Sequence, residues 1–404
     1  MINALRGMKD VTFEESKRFI YIIETASKIA QNYGYGYIET PILEETKLFK
    51  RSVGESSDIV GKEMYQFIDK GENDVCMRPE GTAGVVRAFV QAKLDRVQNQ
   101  KNRFYYYGAM FRYEKPQKGR LREFHQFGCE SFGESSVYED FTIISMIGEI
   151  FKALGIRYKL KINSLGCVEC MPTYKESLIN FLTPIKEELC SDCQRRIDTN
   201  PIRVLDCKNP HCQELITDSP KLTFNLCSSC DSDFEKLKSL LNSGNVNYEI
   251  DTNLVRGLDY YNKTAFEFVS DEIGSQSAIA GGGRYDRLVE FLDGKSTPAV
   301  GFALGIERIW ELVKMPISTR EGYYFGAMNQ EGVEILLILA QKTRLTQKVT
   351  VEYAPKKLQA HLKNADKANA QYLLFLGIDE LKEGKVWIKN LETKEETIRL
   401  MEDF

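Results

Sequence analysis

Apolar positions recur at helical spacing near the start of the chain. Thr12-Phe-Glu-Glu15 has the form of a capping box, and Phe19, Ile22, Ile23, Ala26, Ile29, Ala30 and Tyr33 follow at three- and four-residue steps. This predicts a helix that Gly34 ends. Residues 35–42 read as a strand broken by Pro41, and a second helix is expected after Thr82, through Val85, Val86, Phe89 and Val90. From 104 to 132 the texture becomes aromatic and alternating, with a polar interruption over 114–120. That pattern predicts a long hairpin whose turn is Pro116-Gln-Lys-Gly119. On its second arm Gln126, Gly128 and Glu130 share one face, while His125, Phe127 and Cys129 share the other. Helix is expected again over 139–154 and strand over 158–162.

Residues 166–245 are cysteine-rich, charged and mostly helical in pattern, and read as an insertion. Strands are expected to resume over 248–255, 264–269 and 299–303, and 318–324 reads as a linker. The remainder alternates helix (333–343), strand (348–353), helix (357–368) and strand (372–376), which describes a small α/β domain. The expected organisation is one domain in two parts, 1–165 and 246–318, split by the 166–245 insertion and followed by an α/β domain over 325–404.

A chain of 404 residues has room for two or three domains, each with its own core. At 43% hydrophobic and 28% charged it has an ordinary globular composition. The start lacks a signal-type apolar core and no stretch reaches bilayer length, so a cytoplasmic protein without a membrane partner is expected. The net charge of −4 means that nucleic-acid binding has to come from local basic patches. One such set is Lys342, Arg344, Lys348, Lys356, Lys357, Lys363 and Lys367, although lysines usually make a solvated surface.

Ten cysteines in a cytosolic chain should be thiols or metal ligands. Cys190-Ser-Asp-Cys193 and Cys227-Ser-Ser-Cys230 have the two-residue spacing of zinc knuckles, and Cys167-Val-Glu-Cys170 is a third such pair. The spacing leads us to expect one Zn²⁺ held chiefly by Cys190, Cys193, Cys227 and Cys230, with Cys207 or His211 as substitutes. Incidental buried thiols are the alternative. The three histidines are scattered, which argues against a machine built on several of them.

The chemistry concentrates elsewhere. Arg256-Gly-Leu-Asp-Tyr-Tyr261 gathers an arginine, a carboxylate and two tyrosines, and Ala280-Gly-Gly-Gly-Arg284-Tyr-Asp286 lets backbone approach a ligand closely. Arg112 suits bidentate phosphate recognition, or else a sheet ion pair with Glu114. Arg308 follows a glycine-punctuated helix entry. If Arg112, Arg256 and Arg308 converge, ATP is the natural ligand. There is no Walker-type loop and no dinucleotide glycine fingerprint. Glu130 is either an edge charge or, with Gln126, a ligand-facing acceptor. Sites that hydrogen-bond a substrate group reject analogues lacking it by roughly 10⁴–10⁵.

Five segments in order resemble the histidyl-tRNA synthetase family of class II aminoacyl-tRNA synthetases. They are Met77-Arg-Pro-Glu80-Gly-Thr82, Phe111-Arg112-Tyr-Glu-Lys-Pro-Gln117-Lys-Gly-Arg120, Leu254-Val-Arg256-Gly-Leu-Asp-Tyr260-Tyr261, Ala280-Gly-Gly-Gly-Arg284-Tyr285 and Gly301-Phe-Ala-Leu-Gly305-Ile-Glu-Arg308. The resemblance implies a six-stranded antiparallel catalytic sheet flanked by helices, a helical insertion, a C-terminal α/β anticodon-binding domain, and a homodimer built around residues 14–44. It implies a histidine–tRNA ligase that makes histidyl-adenylate and pyrophosphate from L-histidine and ATP with Mg²⁺, then transfers histidine to tRNA(His). By resemblance Glu80 and Thr82 would hold the substrate ammonium, and Arg112 and Arg308 the α- and γ-phosphates. Gln126 and Arg256 would meet the carboxylate and α-phosphate, Glu130 and Tyr261 would clasp the imidazole, and Tyr260 would join the histidine site. Glu114 and Arg120 would complete the ATP site and Gln117 would contact the tRNA acceptor end. A competing reading is the regulatory subunit of ATP phosphoribosyltransferase, which lacks the anticodon domain and degrades the arginine-bearing motif. A metal-dependent nucleotide-binding scaffold would rest on the cysteines alone.

Overall fold

The aromatic hairpin lies towards one side of the larger sheet, second and third in its order of eight strands. Its arms, Asn102–Phe111 and Glu123–Phe132, run antiparallel with Tyr106 opposite Gly128 and Phe111 opposite Glu123. The computed structural model describes residues 2–403 apart from 55, 56, 58, 98, 99, 118, 208, 257, 275, 276 and 316–319. Lys118 of the expected turn therefore lies outside the described residues. Beside it, Gln117 and Arg120 bridge each other, and Gly119 sits at φ +73, where a glycine is at ease. The described residues separate into two compact units, Met1–Lys314 and Met315–Phe404.

In the first unit the sheet continues through Ala299–Gly305, Ala278–Arg284, Asn262–Val269 and Lys159–Ser164, each antiparallel to its neighbour. These six strands match the expected antiparallel core. Two-residue parallel strands, Gly36–Tyr37 and Glu249–Ile250, extend its edges to eight. The Ala278–Arg284 strand was not foreseen, because its triple glycine reads as loop. Conversely, only Glu249–Ile250 forms from the run expected over 248–255. Asp251 turns the chain there, its carboxylate accepting from the amide of Asn253 and its carbonyl from that of Leu254.

The face opposite the hairpin's polar side packs under helices. Val137–Ala153 is apolar nearly all round, with Ile143, Ile144, Met146, Ile147, Ile150 and Phe151 fully buried. It lies in one core with Ile22, Ala26 and Ala30 of Phe13–Asn32 and with Phe127 and Cys129 of the hairpin. Phe234, Leu237 and Leu241 of Ser228–Ser243 join the same core, although the sequence placed that helix within the insertion. Full burial of such side chains is worth about 1.5–3 kcal/mol each, which anchors the strands whose other face carries the polar groups. The capping box expected at Thr12 does not form. Thr12 makes no side-chain cap, and Glu15 pairs with Lys9 instead.

The second unit has a five-stranded sheet in the order Val349–Val351, Tyr323–Ala327, Tyr372–Leu376, Lys385–Asn390, Glu396–Leu400. The first three strands are parallel and the last two antiparallel, with Gln330–Thr343 and Leu358–Lys367 as the crossover helices. The expected linker over 318–324 falls partly outside the described residues, and its last two residues, Tyr323 and Tyr324, already belong to the Tyr323–Ala327 strand.

Candidate active site

A cleft of about 170 Å³ opens on the polar face of the larger sheet. Its wall brings together Glu80, Thr82, Arg112, Glu114, Arg120, Gln126, Arg256, Tyr260, Tyr261 and Arg308, ten residues drawn from segments more than 220 positions apart. Gln117 is exposed and does not itself line the cleft, although it bridges Arg120, which does.

Four arginines line the cleft, and each is aimed by a contact behind it. Arg112 donates from Nε to the carbonyl of Pro79 at 2.9 Å and lies 5.2 Å over the Phe124 ring. Arg308 donates to the carbonyl of Ala278 at 2.9 Å. Arg120 Nη1 stands 3.1 Å from the Glu114 carboxylate. Arg256 bonds Glu267 Oε1 at 2.9 Å and lies 5.7 Å over the Tyr261 ring. Burial, then the charges of Arg120 and Arg112, bring Arg308 down to about 10. Arg308 thus feels both neighbouring guanidiniums, an unfavourable arrangement that a polyanion relieves.

Beside the arginines the cleft becomes neutral and hydroxyl-rich. Tyr260, Tyr261 and Tyr285 pack at 4.7–6.3 Å between ring centroids. Burial raises all three phenols, so they stay uncharged donors. Glu80 accepts from the amides of Thr82 and Ala83, both at 2.8 Å, and so caps the Thr82–Gln91 helix. An ionised carboxylate has lone pairs left for a further donor. Among the described residues, Gln126 Oε1, Arg256 Nε and the Tyr260 hydroxyl are buried polar atoms without a hydrogen-bond partner in the protein. Such atoms are costly unless a ligand completes them.

Glu130 stands differently from the expectation. It is fully buried below the cleft wall, where it accepts from Thr82 Oγ1 at 2.6 Å, from the Tyr106 hydroxyl at 3.3 Å and from the Tyr285 hydroxyl. Burial pushes its carboxyl up to about 8. Gly301 explains the placement, since a Cβ there would fall 1.7 Å from Glu130 Oε2. The triple glycine also has a use other than the one expected. A Cβ on Gly281 would lie 2.3–2.5 Å from the Arg256 guanidinium, while at Gly282 and Gly283 it would strike neighbouring strands. The glycines make room chiefly for the protein's own parts, and only Gly281 reaches the cleft. Arg284 is not a ligand group. It is buried and bonded to Asp140 and to the carbonyls of Glu134 and Ser136.

Sequence reasoning missed Tyr106, Glu267 and Glu307. Tyr106 faces Gly128 across the hairpin, an aromatic opposite a glycine, which was a readable signal. Glu267 is the lone carboxylate in an otherwise apolar strand run. Glu307 holds His125 through Nδ1 at 2.7 Å and the amide at 2.8 Å, which gives that histidine a structural place.

The expected zinc quartet does not assemble. Cys190 and Cys193 meet Cys207 and Cys212, whereas Cys227 and Cys230 meet Cys167 and Cys170. Chain spacing pairs neighbours correctly but cannot tell which pairs the fold brings together. His211 is exposed and belongs to neither group. The basic set of the second unit is also partly neutralised, since Lys348 pairs with Glu321 and Lys356 with Glu352.

The model of histidyl-tRNA synthetase matches residues 7–177 and 222–309, and that of an anticodon binding domain matches 322–403. The chain belongs to the histidyl-tRNA synthetase family. It is 70% identical over 403 residues to the histidine–tRNA ligase of Sulfurovum sp. (strain NBC37-1) and 65% identical over 404 residues to that of Sulfurimonas denitrificans, with 100% of each chain covered in both cases. Among solved structures, apo histidyl-tRNA synthetase of S. aureus is 34% identical with a TM-score of 0.83, covering 100% of this chain and 98% of that one. A Bacillus halodurans chain titled ATP phosphoribosyltransferase regulatory subunit/histidyl-tRNA synthetase is 21% identical over 93% of this chain and 98% of that one. Its TM-score of 0.66 shows the shared fold alone. Membership in this synthetase family implies ATP and Mg²⁺ as co-reactants, and histidine and tRNA(His) as substrates.

Proposed function

We propose that this chain, a histidine–tRNA ligase by family, forms histidyl-adenylate in the cleft between the arginine and tyrosine groups. One observation carries this reading. Arg112, Arg120, Arg256 and Arg308 converge on one cleft wall together with the uncharged Tyr260 and Tyr261 and the unpartnered Gln126 Oε1. That lining fits a triphosphate beside a small zwitterion. Arg112 holds the α-phosphate, and Arg308 the γ-phosphate, with Arg120 and Glu114 beside them. Gln126 and Arg256 meet the histidine carboxylate and the α-phosphate. Glu80 receives the ammonium with Thr82 next to it, and Tyr260 and Tyr261 close on the imidazole. Glu130 acts from beneath by orienting the hydroxyls of Thr82, Tyr106 and Tyr285.

The attacking carboxylate is already ionised, so no general base is required. The residues align it in line with the α-phosphorus and stabilise the charge that builds on the phosphate oxygens. Glu114 and Glu267 are carboxylates on the cleft wall, a donor type that suits Mg²⁺. When bound, the ion supplies further neutralisation of phosphate charge.

The protein works as a cytoplasmic homodimer in this reading. Tyr37, Ile42 and Leu43 lie exposed within the 14–44 segment, apolar side chains that a second copy would cover. Residues 325–404 bind the anticodon stem, 1–165 and 246–318 form the catalytic domain, and Gln117 reaches the acceptor end from its exposed turn. The 166–245 insertion carries structural zinc. The test is histidine-dependent ATP–pyrophosphate exchange by the purified chain. Exchange that requires L-histidine is expected, and its absence from a folded, dimeric preparation would overturn the reading.

A further inference from the structure

The eight insertion cysteines form two groups of four, and in each group the sulfurs lie within 4.8 Å of one another. Several separations have a telling value. Cys167 lies 3.8 Å from both Cys170 and Cys227, and Cys190 lies 3.8 Å from Cys207, sulfur to sulfur. A tetrahedral zinc with Zn–S bonds of about 2.3 Å has a sulfur–sulfur edge of about 3.8 Å. Disulfide sulfurs would stand at about 2.0 Å. Each group also has a backbone amide aimed at a sulfur. The amide of Cys227 donates to Cys170 Sγ and that of Cys190 to Cys212 Sγ, both at 3.2 Å, which suits thiolate acceptors.

The two groups flank the segment that carries Arg256, Tyr260 and Tyr261. Just before Cys167, the Leu165 amide donates to the Lys263 carbonyl at 2.6 Å, and the Lys263 amide to the Gly166 carbonyl at 2.7 Å. Between Cys193 and Cys207, Arg203 donates to the Arg256 carbonyl at 3.3 Å and Asn200 to Asp259 at 2.9 Å. We propose that the insertion holds two zinc ions, one in each tetrathiolate group, and that together they brace the 254–263 segment of the histidine site from two sides. This deepens the reading of the insertion as a zinc module. Its primary readout is metal, so its failure leaves the ligase reading standing and a failed exchange assay leaves the metal count standing.

Metal analysis of the full chain, purified under reducing conditions without added metal, should find about two zinc ions per chain. Cys212→Ser and Cys230→Ser should each retain one. Cobalt-substituted protein should show the absorption of a tetrathiolate ion at the same stoichiometry. If a variant fails to fold, native mass spectrometry of the wild-type chain during chelation carries the test, with two separate losses of one zinc mass expected. A content of one zinc or less, iron at the same stoichiometry, or metal-free protein with its cysteines in disulfides would overturn the metal assignment. Bracing predicts that stripping the zinc raises the KM for histidine about tenfold or more, since displacement on the 1 Å scale is enough for such losses. An unchanged KM in the stripped, folded enzyme would overturn the bracing role.

Discussion

Replacing Gly281 by alanine should disable the site without deleting any functional group. The added Cβ would stand 2.3 Å from Arg256 Nη1, 2.4 Å from Nη2 and 2.5 Å from Cζ, whereas ordinary contact begins at 3.4 Å. The guanidinium must therefore retreat by roughly 1 Å. Its ion pair with Glu267 and its seat over the Tyr261 ring oppose a clean escape. A displacement of that size costs on the order of 10²-fold in rate, about 2.7 kcal/mol of transition-state stabilisation. Outright loss in Arg256→Ala should cost about 10²–10³-fold. The assay is histidine-dependent pyrophosphate exchange, with thermal melts to confirm folding. Gly61→Ala serves as the control, because a Cβ there meets nothing within 4 Å. If Gly281 acts through Arg256, adding Gly281→Ala to the Arg256→Ala background should cost little more. Gly281→Ala activity within about threefold of wild type, or a full additional loss in the double variant, would refute the argument.

Three further outcomes follow from the same geometry. Glu130, raised to about 8 by burial, binds its proton more tightly folded than unfolded, so its contribution to stability is present below about pH 4.3 and is lost as pH rises through about 8. Melting temperatures from pH 5 to 9 should therefore fall less steeply in Glu130→Gln than in wild type, and parallel slopes would contradict the assignment. Arg284→Ala strips the buried Asp140 of its partner and should destabilise by about 3–5 kcal/mol in chemical denaturation, where a loss under about 1 kcal/mol would contradict it. Truncation after Lys314 should spare exchange far more than tRNA charging, provided the truncated protein remains a folded dimer. Equal charging by truncated and full-length protein would remove the second unit from tRNA recognition.

Sequence alone was enough for the helices Phe13–Asn32, Thr82–Gln91, Val137–Ala153, Gln330–Thr343 and Leu358–Lys367, the long hairpin and the family, because periodicity and motif order are local properties of the chain. The period-two face that carries Gln126 and Glu130 was legible for the same reason. Tertiary structure decided what those residues meet. Gly301 lets Glu130 sink beneath three hydroxyls, and Gly281 yields its space to Arg256, though in the sequence Gly301 reads only as a motif letter and Gly281 as room for a ligand. Burial and convergence are long-range facts, and so the meeting of Arg112, Arg256 and Arg308 on one cleft wall could be posed but not established from spacing. The cysteines divide along the same line. Two-residue spacing pairs Cys167 with Cys170, Cys190 with Cys193 and Cys227 with Cys230, because a single turn brings such neighbours together. Which pairs then share an ion depends on how the start and end of the insertion close on each other, and that closure places Cys167 and Cys170 beside Cys227 and Cys230.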